Sequence, residues 1–494
     1  MDRQITLRTP GRPPERSARH PDAGALEATG LRRLLELSSF QAFRAPGFGA
    51  LWTGALISNI GTLMAMVAAG VWVTEQTGKA AWTGTVAALT FLPAVVLSPV
   101  AGALADRFER RRYLALLTGA QIAVAACLAL LAFTGHLTVG WMALLAFLGG
   151  CASTFSVPGF VALISELVPP AALPSAFSLN SAQYNVGRVL GPALATIVFA
   201  VAGPAWAFAA NALSFTAVFW ALSRIPRSIQ KRRSPPPLWH GIRDGFAVAR
   251  DDPGIRLALM AVLAIAVLVA PFIGLVPVFA LRVFQRGAET ASLFTTAHGL
   301  GAIAGAFALA PLVRRFGLRR VAMASSLVLG PSAAAFWLAP SPDMAAAFIP
   351  LLGAAYLASL TTLNTIGQLR APPEAQARVS SIHSMLLGGG YAVGVVVMGA
   401  LADVFGLRLV LTSAAAAFLC LCLIGRSTAT RGLRALEPHV APSAARAWNR
   451  ESPEEGVVLA EPGEPDLSDA AESAPSAAPT RAEDRRRQRG GELG

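Results

Sequence analysis

The sequence predicts an all-α polytopic membrane protein with twelve transmembrane helices in two six-helix pseudo-repeats, and three observations carry that reading. Of the 494 residues, 54% are apolar and only 14% charged, and the mean hydropathy of +0.54 exceeds that of ordinary soluble domains. Runs of roughly 18 or more residues with almost no charge recur along the chain, each long enough to cross a bilayer as a helix. Lysine and arginine gather in alternate loops, the mark of loops retained on one side of a membrane.

In chain order the apolar runs cover 49–73, 81–105, 113–133, 139–165, 176–201 and 204–223, then, past a polar stretch, 257–281, 288–312, 321–339, 344–369, 379–402 and 407–425. The connections "AGP" at 202–204 and "APSPD" at 339–343 are short enough to demand tight helical hairpins. Residues 47–224 thus make a first half, 225–254 a basic cytoplasmic linker and 255–427 a second half. One set of loops carries Arg107, Arg110, Arg111 and Arg112, the linker arginines and Lys231, then Arg314, Arg315, Arg319, Arg320, Arg370 and Arg378. The opposite loops carry only Lys79, Arg282, Arg286 and Arg408. The first set, with both termini, is placed in the cytoplasm. The net charge of +13 is therefore a topology signal, and nucleic acid is not an expected partner, because the arginines sit at helix ends rather than on one soluble face.

The termini differ from the core. Residues 1–46 are rich in Arg, Pro and Ser, and "LRRLLELSSFQAF" at 31–43 reads equally as an amphipathic helix on the inner membrane surface or as a solvated lead-in. No cleavable signal is evident, since the first apolar run is too long for one. Residues 428–494 read as a disordered cytoplasmic tail.

The two halves also repeat. "GALADRFERRR" at 102–112 aligns with "APLVRRFGLRR" at 310–320, pairing Leu104 with Leu312, Arg107 with Arg315, Phe108 with Phe316, Arg111 with Arg319 and Arg112 with Arg320. "VPPAALPSAFSLNS" at 168–181 aligns with "APPEAQARVSSIHS" at 371–384. Each pair occupies the same place in its half, which implies a duplicated six-helix unit.

These residues resemble the major facilitator superfamily. Its signature between the second and third helices is Gly-x-Leu-Ala-Asp-Arg-x-Gly-Arg-Arg, and Gly102, Leu104, Ala105, Asp106, Arg107, Arg110 and Arg111 stand in register, with Glu109 in place of the family's glycine. "GRVLGPALA" at 187–195 is similar to the Gly-x-x-x-Gly-Pro motif of drug and metabolite exporters. Within the superfamily, the stretches "FRAPGFGALWTGALISNIG" and "ISELVPPAALPSAFSLNSAQYNVGRVLGPA" look like bacterial exporters of the siderophore (enterobactin) and macrolide efflux type. The resemblance implies a multi-pass protein of the bacterial cytoplasmic (inner) membrane. It further implies that Asp106 clamps the inner end of the eleventh helix, near Arg378, Ser380 and Ser381, and holds an outward-facing state. Arg107, Arg110 and Arg111 are then its partners, with anionic lipid headgroups as further contacts. Arg314 stands where the second copy needs an aspartate, so the clamp is expected on one half only.

Other polar residues within apolar runs are candidates because burying them in lipid is costly. Arg188 lies about 12 residues, or about 18 Å, into its run, near mid-bilayer. Two roles remain open for it: contact with an anionic or carbonyl-rich substrate, or a structural arginine bonded to backbone carbonyls. Gly187, Gly191 and Pro192 are expected at a close helix contact, which the resemblance makes a seal of the transport path. Asn59, Gln183, Tyr184, His298, Asn364, His383 and Tyr391 are further candidates for the substrate or proton path. For His298 an interhelical hydrogen bond is expected ahead of a proton site. No carboxylate occupies the middle of the first run, and Glu75 and Glu166 lie at run ends, so proton coupling is implied by resemblance without a located residue.

Enzyme and cofactor readings fail. "GLGAIAG" at 299–305 sits inside an apolar run with no preceding strand, and reads as a helix contact rather than a dinucleotide loop. ATP-loop, zinc-protease and Cys-x-x-Cys motifs are lacking, so neither cofactor nor metal is expected. The four cysteines all fall in apolar runs as packing residues. The expected function is secondary active export, coupled to protons and working by alternating access. Helices one, four, seven and ten would line a central cavity that includes Met64, Met66, Phe155 and Phe272. Its apolar, aromatic character suits a bulky amphipathic small molecule such as a siderophore, macrolide or other drug, carried by a monomer. The rivals are an uptake symporter for a polar metabolite and a non-transporting membrane scaffold or sensor.

Overall fold

The computed structural model describes residues 38–105, 107–225, 250–372 and 375–428. Their helices are α1 Phe48–Thr77, α2 Ala80–Ala105, α3 Arg110–Phe133, α4 Val139–Leu167, α5 Leu173–Val201, α6 Pro204–Arg224, α7 Pro253–Val283, α8 Ala288–Phe316, α9 Leu318–Leu338, α10 Pro342–Arg370, α11 Gln376–Phe405 and α12 Leu407–Thr428. Each is long and apolar enough to cross a membrane. In hydrocarbon a backbone has no water to bond, so a spanning segment must satisfy itself as a helix. Exposed Leu116, Leu130, Leu213 and Phe307 suit a lipid-facing exterior.

Local chemistry sets the helix ends. Pro204, Pro253 and Pro342 open their helices at the first position, where a missing N–H costs nothing. Asp252 caps α7 by accepting from the N–H groups of Gly254 and Ile255 at 2.8 Å each. Gly317 alone separates α8 from α9, and Gly406 alone separates α11 from α12. Their φ angles of 84° and 89° are ones a side chain disfavours, so glycine lets the chain reverse in one residue.

The two halves pair their helices alike. α1 packs on α5 and α6, α2 on α4, and α3 on α4 and α6; in the second half α7 packs on α11 and α12, α8 on α10, and α9 on α10 and α12. The halves meet along α2 with α11 and along α5 with α8, contacts that exchange under the same repeat. For convenience, the end bearing the arginine-rich loops is the basic end and the other the far end.

Two segments are irregular. The seventh span has π turns at Ile265–Val269 and Phe279–Val283. Pro271 and Pro277 lack an N–H, and the helix rewinds around them, with the Ala270 N–H bonding the Ile265 carbonyl at 2.8 Å in a wider ring. In the lead-in, Ser38–Arg44 form a 3-10 helix. Its Ala42 N–H donates to Ser175 Oγ at 3.2 Å, and the Phe43 ring meets the edges of Phe48 and Trp52 at 5.5 and 5.3 Å. Residues 1–37, most of the linker and the tail beyond 428 lie outside the described residues.

At the basic end, charge ties each half to itself. Arg110 pairs with Glu166 at the end of α4 at 2.8 Å. Arg111 donates to the carbonyls of Ile225 and Ser223 at 2.8 and 3.1 Å, capping the negative end of α6. Glu109, where the signature has glycine, pairs with Arg112 at 3.1 Å. In the second half Arg370, only 5% exposed, grips Asp252 through Nε and Nη2 at 2.8 Å each.

Glycines bring helix backbones together. A Cβ on Gly187 would lie 3.2 Å from Asn59 Cβ, and one on Gly191 would lie 2.8 Å from Leu63 Cβ and 2.9 Å from the Ile60 carbonyl oxygen. α5 therefore touches α1 backbone to backbone. Within "GLGAIAG", Gly301 abuts Pro350 and Gly305 abuts Ala354 of α10, so that stretch is a helix contact.

Two measurements test these contacts. Gly191→Ala is expected to cost about 1–3 kcal/mol and lower the melting temperature in detergent, because α1 must yield. Gly119→Ala, where a Cβ meets nothing within 4 Å, should leave it unchanged or raised, and equal effects at the two sites would sink the packing argument. Burial raises the Asp252 carboxyl, but the Arg370 hydrogen bonds and the Ile255 and Gly254 amides outweigh it and hold the group below the usual carboxylate range. A carboxyl lowered on folding adds stability that is complete above its unfolded value, about 3.9, and lost as pH falls through its folded value. Asp252→Asn should lower the melting temperature at neutral pH, with the gap to the parent closing in acid; a gap independent of pH would refute this.

Candidate functional site

Mid-way along the helices, both halves contribute to one polar and aromatic cluster. Arg188 stands on α5 one turn after Tyr184, its guanidinium 6.0 Å from that ring's centre. Phe272, just past the break in α7, meets the edge of His298 of α8 at 4.8 Å and of Tyr356 of α10 at 5.7 Å. Gly299 lets α8 close on α5 here, since a Cβ would lie 2.7 Å from the Arg188 carbonyl oxygen. Beside the cluster, Tyr391 of α11 meets Phe91 of α2 at 5.2 Å and rests its hydroxyl on Gly274 of α7.

The electrostatics are one-sided. Among the described residues no carboxylate and no backbone carbonyl takes a hydrogen bond from Arg188, so the carbonyl-bonded role has no support here. Tyr184 beside it is 49% exposed. His298 is buried, and its Nε2 has no hydrogen-bond partner among the described residues. Glu75, Glu166, Glu289 and Asp343 all lie near helix ends. The site is thus an unneutralised guanidinium with five donors among aromatic faces, fit to hold an anionic or carbonyl-rich group beside an apolar body. Among the described residues no group of three His, Cys, Asp or Glu is placed to hold a metal.

Other candidates fall elsewhere. Gln183 donates to Asn180 at 2.7 Å and lines a small void with Phe48, Trp52 and Phe160, inside the first half. Asn59 lies against Gly187 in the α1–α5 contact, with Gly191 and Pro192 buried one turn on. Asn364 has a buried Oδ1 without a partner, two turns from Tyr356 toward the basic end, and buried His383 stands two turns before Tyr391. Met64 and Phe272 are buried, whereas Phe155 packs into the core of the first half. Of the signature, Leu104 packs into that same core, Arg107 is exposed, and Arg378 and Ser380 sit in the first turns of α11. Asp106 lies outside the described residues. Arg110 and Arg111, expected as its partners, are engaged within their own half.

The far end is closed by a residue the sequence reading passed over. Asp403, near the end of α11, accepts from the N–H groups of Ala80 and Ala81 at the start of α2, at 2.8 and 2.9 Å, and pairs with Arg282 of α7 at 2.9 Å. Gly84 against Val395 and Gly399 against Ala80 make the same seam tight. Tyr356 was also missed, although the chain has only four tyrosines and three of them, Tyr184, Tyr356 and Tyr391, gather at mid-depth.

Comparisons with known proteins agree with this architecture. The bacterial homologue of the human lysosomal transporter Spinster, in an inward-facing and unoccupied conformation, superposes with a TM-score of 0.64 at 16% identity, covering 80% of this chain and 98% of that one. The nucleoside transporter NupG gives 0.62 at 12% identity, covering 77% and 98%. Macrolide efflux protein A of Streptococcus pyogenes is 23% identical over 73% of this chain and 90% of its own length. Multidrug efflux pump Tap of Mycolicibacterium fortuitum is 25% identical over 72% and 88%, and the staphyloferrin A transporter of Staphylococcus aureus 25% over 51% and 64%. A family model described as transmembrane secretion effector matches residues 37–458. The chain therefore belongs to that family of the major facilitator superfamily and is a multi-pass membrane transporter, not an enzyme.

Proposed function

We propose that the protein is a monomeric secondary active exporter, driven by the proton gradient, that carries a bulky amphipathic molecule bearing an acidic or carbonyl-rich group out of a bacterial cytoplasm. The observation that carries this reading is Arg188: a guanidinium at mid-depth without a carboxylate partner, beside Tyr184, His298, Phe272 and Tyr356. Such a charge is costly in a membrane protein unless water or a ligand meets it. Aromatic walls supply area for an apolar body at little entropic cost. The basic end is assigned to the cytoplasm by its arginines, and the seam tight at the far end then leaves the site to load from inside. Efflux relatives named for macrolides, multiple drugs and staphyloferrin A favour export over uptake.

The test is transport in oriented vesicles with a panel of siderophores, macrolides and dyes. Inverted vesicles energised acid-inside should accumulate a member of the panel and lose it on adding a protonophore, whereas accumulation only in right-side-out vesicles would make the protein an importer. Arg188→Gln should lower transport of an acidic substrate by at least about tenfold, the loss of one charge-assisted hydrogen bond. Arg188→Lys should restore part of it. Undiminished transport by Arg188→Gln would remove Arg188 from the site.

A further inference from the structure

The turn between α8 and α9 carries Arg314, Arg315, Arg319 and Arg320, four arginines in seven residues. From 290 to 342 the sequence contains no carboxylate, so nothing nearby in the chain offsets them. The equivalent turn between α2 and α3 differs. There Asp106 and Glu109 interrupt the basic run, Arg110 pairs with Glu166, Arg111 caps the end of α6 and Arg112 pairs with Glu109. Charge at the first-half turn is taken up by the protein's own groups. At the second-half turn Arg314, Arg315 and Arg320 are exposed, and no carboxylate among the described residues pairs with them. Arg315 lies 5.3 Å from the centre of the Phe316 ring, which is itself exposed.

The helix surface leading to these arginines is apolar and open. Leu293, Leu300 and Phe307 of α8 are all exposed, Phe307 to 81%, and Arg314 follows at the same seven-residue interval. Seven residues are close to two turns, so the four lie in one stripe along α8. Along the axis Phe307 is about 10 Å and Leu300 about 21 Å from Arg314, so the stripe runs from the basic boundary to mid-bilayer. An anion free in water gains nothing from such a stripe. A phospholipid meets both parts at once.

We propose that the α8–α9 turn is a binding site for an anionic phospholipid, with its phosphate on Arg314 and Arg315 and an acyl chain along Phe307 and Leu300. Guanidinium forks match phosphate oxygens, and long arginine side chains reach headgroup level from a helix end. Anionic lipids in the leaflet beside the turn attract each such charge. The headgroup contact expected at Arg107, Arg110 and Arg111 is then made chiefly by the second half's copy of that turn. This site stands apart from the substrate reading, and its test involves no transport.

The test is native mass spectrometry and thermal melting of the full chain in a neutral detergent, titrated with dioleoyl phosphatidylglycerol, dioleoyl phosphatidylcholine or inorganic phosphate. The parent should bind phosphatidylglycerol more tightly than phosphatidylcholine and melt higher in its presence, with no gain from inorganic phosphate at the same concentration. Arg314→Gln with Arg315→Gln should lower phosphatidylglycerol affinity at least about tenfold, the effect of two charges at a lipid surface, and leave phosphatidylcholine unchanged. Arg314→Lys with Arg315→Lys should keep most of the preference, and Phe307→Ala should weaken both lipids together. Arg107→Gln with Arg112→Gln removes the same charge from the first-half turn and should lower the affinity by less than about threefold. Should the glutamine pair not fold, Arg315→Gln alone decides. An equal fall from the two double variants, a gain from inorganic phosphate equal to that from phosphatidylglycerol, or a parent without preference between the lipids would overturn the proposal.

Discussion

Close approach of helix backbones at glycine is the contact on which the rest of this structure depends. Lipid is as apolar as a leucine side chain, so helices in a membrane gain little by hiding apolar surface from it and must be held by packing and hydrogen bonds. Gly54 and Gly61 bring α1 onto α6, Gly150 brings α4 onto α2, Gly301, Gly305 and Gly353 join α8 to α10, and Gly390 and Gly394 join α11 to α7. All of these lie within one half or the other. Between the halves, Gly84 and Gly399 act toward the far end of the α2–α11 seam and Gly299 at mid-depth between α5 and α8, while Gly102 at the basic end meets nothing described. Each half is thus held internally by many such contacts, and fewer of them join the halves.

Polar groups follow the same economy. The pairs Arg110–Glu166 and Arg370–Asp252 sit at helix ends, where water and headgroups lower the cost of charge, and each ties a helix to another of its own half. Among the described charged residues Arg188 alone is at mid-depth, and it stands where the two halves and the interrupted α7 converge. The π turns of α7 place Phe272 against His298 and Tyr356. A regular helix through Pro271 and Pro277 would leave carbonyls unpaired, so the irregularity is fixed by sequence and used by the site.

The fold was legible because hydropathy and arginine placement both report on the bilayer. Predicted spans such as 379–402 fall short of α11, Gln376–Phe405, where polar residues extend a helix past its apolar run. Arg188 was legible for the opposite reason, one charge in an apolar run being conspicuous. Asp403 was not: at a span boundary a carboxylate is ordinary, and only its distance to Ala80 and Ala81 gives it a role. The α7 breaks escaped because two prolines in an apolar run signal a disturbance without saying whether the helix kinks, ends or widens. Tyr356 escaped because its neighbours on α7 and α8 are far away in sequence.

The α2–α11 seam also bears on energetics. A transporter that alternates between two states needs them nearly equal in free energy, since a ligand moves the balance only by its difference in affinity for the two. In the arrangement seen here Asp403 takes the first two amides of α2 and pairs with Arg282, so the far end of the seam is held by a carboxylate on a helix start. Contacts at helix ends suit that balance, because water and headgroups there keep each one weak enough to exchange.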